Sequence, residues 1–378
     1  MKKKLTVWQA TCIITGYGVG SGIMTLPYLV NRAGIGWSAL ILLAAFFFSY
    51  CMHMMLAELT IGSGHGSQVV SLFKKFLFRG KHGNIFIVAL FVLTALIITT
   101  NLAAYIAGGA EILEAAGIPP LIAKFVFYVV AAAVVFFGLK VLGISETITV
   151  GIICGIIAVL AVASLFNLNN PFVFTTGSPS ELLAFFGMAM FSFVAFFSVP
   201  QAVEGLEGDP VKVRKAILWG LGLNFLFIVV IIGCALVASA HVTELAMIGW
   251  SEGIGLWAQI FGSAFVVLAM LTTYWSISLA LADIVREQLK WHKHVCWLLA
   301  TLPSFLLVVF NFGSFLEIMR IAGGLIAILI AFLVVPAYHR CRKENGKLLL
   351  PNVLASLPVQ ISVLAAFLLM AVGSAVSI

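Results

Sequence analysis

Charge is what this sequence has least of. Of its 378 residues, 9% are Asp, Glu, Lys or Arg and 62% are hydrophobic. Soluble domains carry about 25% charged residues. A water-facing surface cannot be covered with so little charge, which excludes soluble enzymes, disordered chains and nucleic-acid binders. Cysteine is sparse as well. Cys12, Cys51, Cys154, Cys234, Cys296 and Cys341 form no C-x-x-C, so there is no disulfide framework and no metal-ligand spacing. H-E-x-x-H, a G-x-S-G with a partner histidine, and paired aspartates inside apolar runs are missing, which argues against a membrane enzyme and leaves no cofactor expected. Filter-like repeats and charged pore rings are missing too, which argues against a channel. No segment shows the ten-residue alternation of a membrane β-barrel.

What is present is apolar length. A bilayer core of about 30 Å needs roughly 20 apolar residues per helix. The chain supplies eleven such stretches, at about 6–31, 36–62, 84–109, 121–141, 147–167, 182–204, 216–240, 254–282, 295–312, 316–338 and 352–376. The joints are short and carry turn-forming pairs such as Asn31-Arg32, Pro119-Pro120 and Asp209-Pro210. Lys2-Lys3-Lys4 before the first stretch resembles a signal-peptide start, but no small-residue cleavage site follows, so 6–31 reads as the first transmembrane helix. No joint is long enough for a soluble domain, so residues 1–378 are expected to form a single transmembrane domain in the cell membrane.

With eleven spans, the joints alternate between two sides of the bilayer. Of the 21 Lys and Arg residues, only Arg32, Lys124 and Arg320 fall on one side. Basic residues accumulate on the cytoplasmic side, so the N-terminus is expected inside and the C-terminus outside. Glu146 falls in an inner joint on this count, just before the fifth stretch.

The first stretch holds Gly16, Gly18, Gly20 and Gly22, then Pro27. Each interior glycine costs about 1 kcal/mol relative to alanine and an interior proline about 3. Small residues also let helices pack closely, but four glycines and a proline exceed that need and predict a break. Stretch six holds Phe191-Ser192-Phe193-Val194 and Pro200, seven residues after Phe193 as Pro27 is seven after Gly20. Stretch six also opens a second set of five. Interrupted helices at matching places in two halves point to a transporter binding site. A helix restarting at Ser21 or Gly22 would offer free N–H groups and a positive dipole end to a carboxylate. The sixth-span break would offer carbonyls to an ammonium group. Asn101 and Tyr105, one turn apart, could line the same pocket. Glu58 is a candidate for a coupling proton or for a structural pair with loop basic residues. His53 reads as a hydrogen-bonded core histidine.

The run Gly20-Ser21-Gly22-Ile23-Met24-Thr25-Leu26-Pro27-Tyr28 resembles the helix 1 signature of the amino acid/auxin permease family, within the amino acid–polyamine–organocation superfamily. Ala33-Gly34, Leu56-Ala57-Glu58-Leu59, and Pro200 with Glu204 and Asp209-Pro210 extend the resemblance across nearly the whole chain. It implies an all-α, eleven-helix, five-plus-five inverted-repeat transporter fold with discontinuous helices 1 and 6. Repeat 1 would cover about 6–167, repeat 2 about 182–338, and an extra helix 352–376. It implies secondary active transport of an amino acid by alternating access, coupled to Na+ or H+. Val19, Gly20, Ser21 and Gly22 would then meet the carboxylate, and Phe191, Ser192, Phe193 and Val194 the amino group. Thr272, Thr273 and Ser276 would lie where related sodium-coupled members hold the ion, the sole metal implied. Gly16 stands where some of those relatives have Asn, which removes one oxygen ligand. Some proton-coupled members carry a lysine in helix 5, and this chain has none there. A non-transporting amino acid sensor and a channel of the same fold are the rival readings.

Overall fold

The computed structural model describes residues 4–20, 22–64, 66–80, 83–170, 176–243, 246–310 and 315–376. Among them are fifteen helices. Span 1 is α1 (Val7–Gly18) with α2 (Gly22–Ala33), bent by 55° at the break. Span 2 is α3 (Ile35–Ser63), followed by the short α4 (Val69–Phe76). Spans 3 to 5 are α5 (Gly83–Ala115), α6 (Pro120–Phe137) and α7 (Leu139–Ser164). Span 6 is α8 (Pro179–Ser192) with α9 (Ser198–Gly205). Span 7 is α10 (Pro210–Ala238), followed by the short α11 (Ala246–Ile254). Spans 8 to 11 are α12 (Leu256–Leu289), α13 (Lys293–Val309), α14 (Phe315–Asn345) and α15 (Leu357–Ala375).

The order of lengths repeats. A broken pair is followed by a 29-residue helix, α3 or α10. A short helix of 8 or 9 residues comes next, then a long one of 33 or 34. Helices of 18 and 17 residues follow. Because each half contains five spans, an odd number, the two halves run through the membrane in opposite senses. The fold is an all-α, eleven-helix inverted repeat.

Burial separates the centre from the lipid face. Every residue of α1 from Ala10 to Gly18 is buried, and α12 is buried without interruption from Ala269 to Val285. A helix that is apolar and covered all round belongs inside a bundle. The large exposed apolar side chains, such as Ile85, Leu96, Phe137 and Ile260, lie on α5, α6 and α12. Local signals set the ends. Thr6 and Gln9 form a capping box on α1, and Ser178 and Glu181 form one on α8. Gly138, at φ 85°, ends α6 and starts α7, so span 5 begins eight residues before its expected boundary.

The ion pairs among the described residues join groups placed on the same side by the sequence. Arg32 meets Glu181 at 3.1 Å, Lys4 meets Glu207 at 3.1 Å, and Arg79 meets Glu344 at 2.7 Å. Leu5 lies beside the Lys4–Glu207 pair and donates its N–H to Gly205 O at 2.7 Å. Its side chain is buried against Gly143 of α7 and Gly205 of α9, where any side-chain carbon would collide with it. Glu181 sits below the usual carboxylate range because the Ser178 backbone N–H and hydroxyl donate to it and Arg32 lies beside it. A depressed carboxyl stabilises the fold above its unfolded pKa, and the contribution is lost as pH falls through the lower folded value. Acidification through that window should speed hydrogen exchange at the start of α8, and unchanged exchange would remove this clamp from the account.

Candidate substrate and coupling-ion site

The two breaks meet. A small cavity is lined by Tyr17, Gly18, Gly20 and Gly22 from span 1, and by Phe191, Ser192 and Val194 from span 6. Asn101 and Tyr105 of α5 and Ile277 of α12 complete the wall. Glycine is required at position 22, where the breaks touch. A side-chain carbon on Gly22 would lie 2.7 Å from Ser192 Oγ and 3.0 Å from the Phe191 ring. One on Gly20 would lie 3.1 Å from Thr273 Oγ1 and 3.3 Å from Tyr105 Oη. Asn101 Oδ1 is buried without a hydrogen-bond partner, an acceptor with room for one donor.

Span 6 unwinds over 193–197, slightly later than the 191–194 stretch expected to supply carbonyls. There is no glycine there to explain it. His53 of α3 does: its Nε2 accepts the Ala195 N–H at 3.0 Å, while Nδ1 lies 2.6 Å from Ser49 O. That pairing puts the ring proton on Nδ1 and gives the opened backbone a substitute partner. The ring also packs against Phe196, with centroids 4.9 Å apart. His53→Phe would keep the packing and strand the Ala195 N–H. A buried unpaired donor costs about 1–3 kcal/mol, so the variant should melt at lower temperature in detergent; an unchanged melting curve would refute the cap.

The hydroxyls of α12 converge on the end of α1. Thr272 Oγ1 donates to Gly16 O at 2.9 Å. Thr273 Oγ1 lies 3.3 Å from Gly16 O and 3.2 Å from Tyr17 O. Ser276 Oγ donates to Glu146 Oε1 at 3.1 Å. Gly16, Thr272, Thr273 and Ser276 are thus gathered at one place. Glu146 was expected in a joint. It lies instead two turns inside α7 and is fully buried.

Of the two readings of Glu58, the structure supports the pair with a basic residue rather than the coupling proton. Its Oε1 receives Arg342 Nη1 at 2.8 Å and Leu348 N at 3.1 Å, and its Oε2 receives Leu350 N at 2.9 Å. It is a structural anchor between α3 and α14, because its charge is already balanced. Phe193 is buried but turns away from the cavity, edge-on to Phe46 at 5.8 Å and stacked on Phe225 at 6.4 Å. Val19 is fully buried and does not line the cavity. Ser21 lies outside the described residues. The sequence reading missed Tyr17, Gly18 and Ile277, which line the cavity beside residues it named. It also missed Asn224 of α10, whose buried amide has no partner and fills the space beside Gly18. A polar amide in the middle of an apolar span was the available signal.

The comparison with known proteins agrees with this architecture. The chain is similar across 99% of its length to the structure titled MhsT in complex with L-phenylalanine, covering 98% of that chain with TM-score 0.67 and 16% identity. It is similar over 99% of its length to Mhp1, titled a nucleobase-cation-symport-1 family transporter with bromovinylhydantoin bound, covering 91% of that chain with TM-score 0.66 and 13% identity. These likenesses are of fold. In sequence it is 25% identical over 225 residues to the tryptophan-specific transport protein of Pseudomonas aeruginosa (strain UCBPP-PA14). That alignment covers 55% of this chain and 51% of the relative, so the chain matches about half of the relative's length. Residues 3–372 match the tryptophan/tyrosine permease family. The amino acid permease character expected from helix 1 therefore stands, under a different family name from the amino acid/auxin permeases. The chain belongs to the tryptophan/tyrosine permease family.

Proposed function

We propose that this protein carries an aromatic amino acid across the cell membrane by alternating access, driven by a cation gradient. The observation that carries the reading is the meeting of two interrupted helices around one small cavity. The carboxylate of the substrate would sit at the start of α2, near Gly20, Ser21 and Gly22, where free N–H groups and the positive helix end favour an anion. Its amino group would face the sixth-span break and the unpartnered Asn101 Oδ1. Phe191, Tyr105 and Ile277 would enclose the side chain, and their apolar and aromatic surfaces suit a ring. The family name and the tryptophan-specific relative support an aromatic substrate.

In this reading residues 1–378 form one transporter domain, with repeats over 6–167 and 182–338 and an added helix over 352–376. Its N-terminus is cytoplasmic and its C-terminus is outside. The kinship of helix 1 with amino acid/auxin permeases is part of the same proposal, as is a coupling cation at Gly16, Thr272, Thr273 and Ser276. The test is uptake of labelled tryptophan into liposomes holding the purified protein, with a sodium or a pH gradient imposed separately. Saturable accumulation under one gradient, competed by tyrosine and phenylalanine, is expected. Absence of accumulation under both would overturn the reading.

A further inference from the structure

Span 11 follows the ten spans of the inverted repeat, yet its helix α15 packs on span 6. The contact is backbone to backbone. Gly187 of α8 and Gly373 of α15 are both buried, and each turns the place of its missing side chain toward the other. A side-chain carbon on Gly187 would lie 2.8 Å from Gly373 C and from Ser374 N. One on Gly373 would collide with Leu183 O and lie 3.1 Å from Gly187 Cα. Backbone atoms cannot swing aside as the end of a side chain can, so either carbon would force the two helices apart. A second contact lies within the break. Phe367 of α15 packs on Phe196 in the opened stretch, with ring centroids 5.5 Å apart. Span 11 therefore touches span 6 both before its break and inside it.

Of the two helices, α8 is the one that would yield. α15 runs unbroken for 19 residues. Near its start, Gln360 Nε2 donates to Ala355 O at 2.8 Å, and Gln360 Oε1 lies 3.3 Å from His339 Nδ1 of α14. α8 has 14 residues and ends on opened backbone. A short helix whose hydrogen-bond ladder stops at a break is the softer partner. Its displacement reaches the cavity. Ser192 lies five residues past Gly187, which places it about 140° round the helix, nearly opposite α15. There it meets Gly22, where the two breaks touch. Moving α8 off α15 drives Ser192 toward Gly22 and narrows the cavity that both residues line.

We propose that Gly373 is a positioning residue that sets the size of substrate this carrier admits. This rests on the transport reading above. Among the described residues α15 lines none of the cavity, so Gly373 acts through α8 and not by touching the substrate. Its bare backbone lets α8 lie back against span 11 and holds the cavity at the width an indole needs. A carbon at position 373 takes that width away. An indole is larger than a phenyl ring and meets the narrowed wall first. A methylene-sized change in a pocket is worth about 10–200-fold in discrimination.

Uptake of labelled tryptophan and phenylalanine into liposomes, each over a range of concentrations, tests this. Gly373→Ala should raise the half-saturating concentration of tryptophan about tenfold or more, and that of phenylalanine less than about threefold. Phenylalanine should keep its wild-type maximal rate. Val372→Ala, on the exposed face of the same turn, should leave both unchanged. Adding Phe191→Leu to Gly373→Ala returns room inside the cavity and should recover tryptophan. Equal rises for both amino acids, or a lowered rate alone, overturn the proposal, because a loosened fold does not read ring size. If Gly373→Ala fails to fold, the wild type carries the test. Tryptophan should then slow hydrogen exchange over 369–375 of α15 more than phenylalanine does, and equal or absent slowing overturns the proposal. If the wild type takes up neither amino acid under either gradient, it is the transport reading that fails. Exchange over 193–197 without substrate then decides by itself: faster exchange in Gly373→Ala keeps the positioning role, and unchanged exchange removes it.

Discussion

Gly20→Leu should abolish tryptophan binding and leave the protein folded. Gly20 is not one of the glycines held at positive φ, so its backbone accepts a side chain without strain. The first carbon would meet Thr273 Oγ1 at 3.1 Å and Tyr105 Oη at 3.3 Å, contacts that a few tenths of an ångström relieve. The remaining carbons of leucine have only the cavity to enter. They would occupy the space of the ligand and cover the backbone N–H groups behind it. A loss of at least about hundredfold in affinity, near 3 kcal/mol, is expected. Gly20→Ala should lose only about tenfold, because its single carbon stays at the wall. Calorimetric titration with tryptophan, alongside circular dichroism and melting in detergent, separates binding from folding. Retained binding by Gly20→Leu would move the substrate away from the first break.

Glu58→Ala should be the most damaging single change to stability. It leaves Arg342, whose side chain is 15% exposed, without its counter-charge, and strands the N–H groups of Leu348 and Leu350. Breaking a buried pair by removing one partner costs about 3–5 kcal/mol. The protein should appear in low yield or melt far below wild type. The double variant Glu58→Ala, Arg342→Met should recover part of the loss, since it removes the orphaned charge. Glu58→Gln should keep wild-type accumulation on a pH gradient. If it instead binds tryptophan but ignores the gradient, the coupling role belongs to Glu58 after all.

The eleven spans were legible because bilayer thickness imposes a length that apolar composition records directly. The first break was legible because Gly16, Gly18, Gly20, Gly22 and Pro27 weaken a helix by themselves. The second was harder to place. Its cause is His53, 142 residues earlier in the chain, accepting the Ala195 N–H. Of the residues expected at the substrate site, Gly20, Gly22, Asn101, Tyr105, Phe191, Ser192 and Val194 share one cavity. Phe193 does not, because unwinding rotates it toward Phe46 and Phe225. Glu146 was read into a joint because Lys140 precedes it closely in sequence. A basic partner for Glu58 was among its readings, but which residue supplies it was not legible. Arg342, the partner of Glu58, lies 284 residues away in sequence, a pairing that no local pattern contains.

Leu5 gives its end of the molecule a thermodynamic character. It wedges one side chain between glycines of two helices that belong to different repeats. Withdrawing a buried leucine costs about 1.5–3 kcal/mol. A latch of that strength leaves roughly 1–10% of molecules unlatched at any moment, within the range of ordinary minor conformers. That end would then be closed by weight of population rather than by a rigid seal, and a modest binding energy could tip it. Leu5→Ala should raise the unlatched share severalfold, and single-molecule distances between labels on the exposed Trp8 and Phe137 should report it. An unchanged distance distribution would show that the seal lies elsewhere.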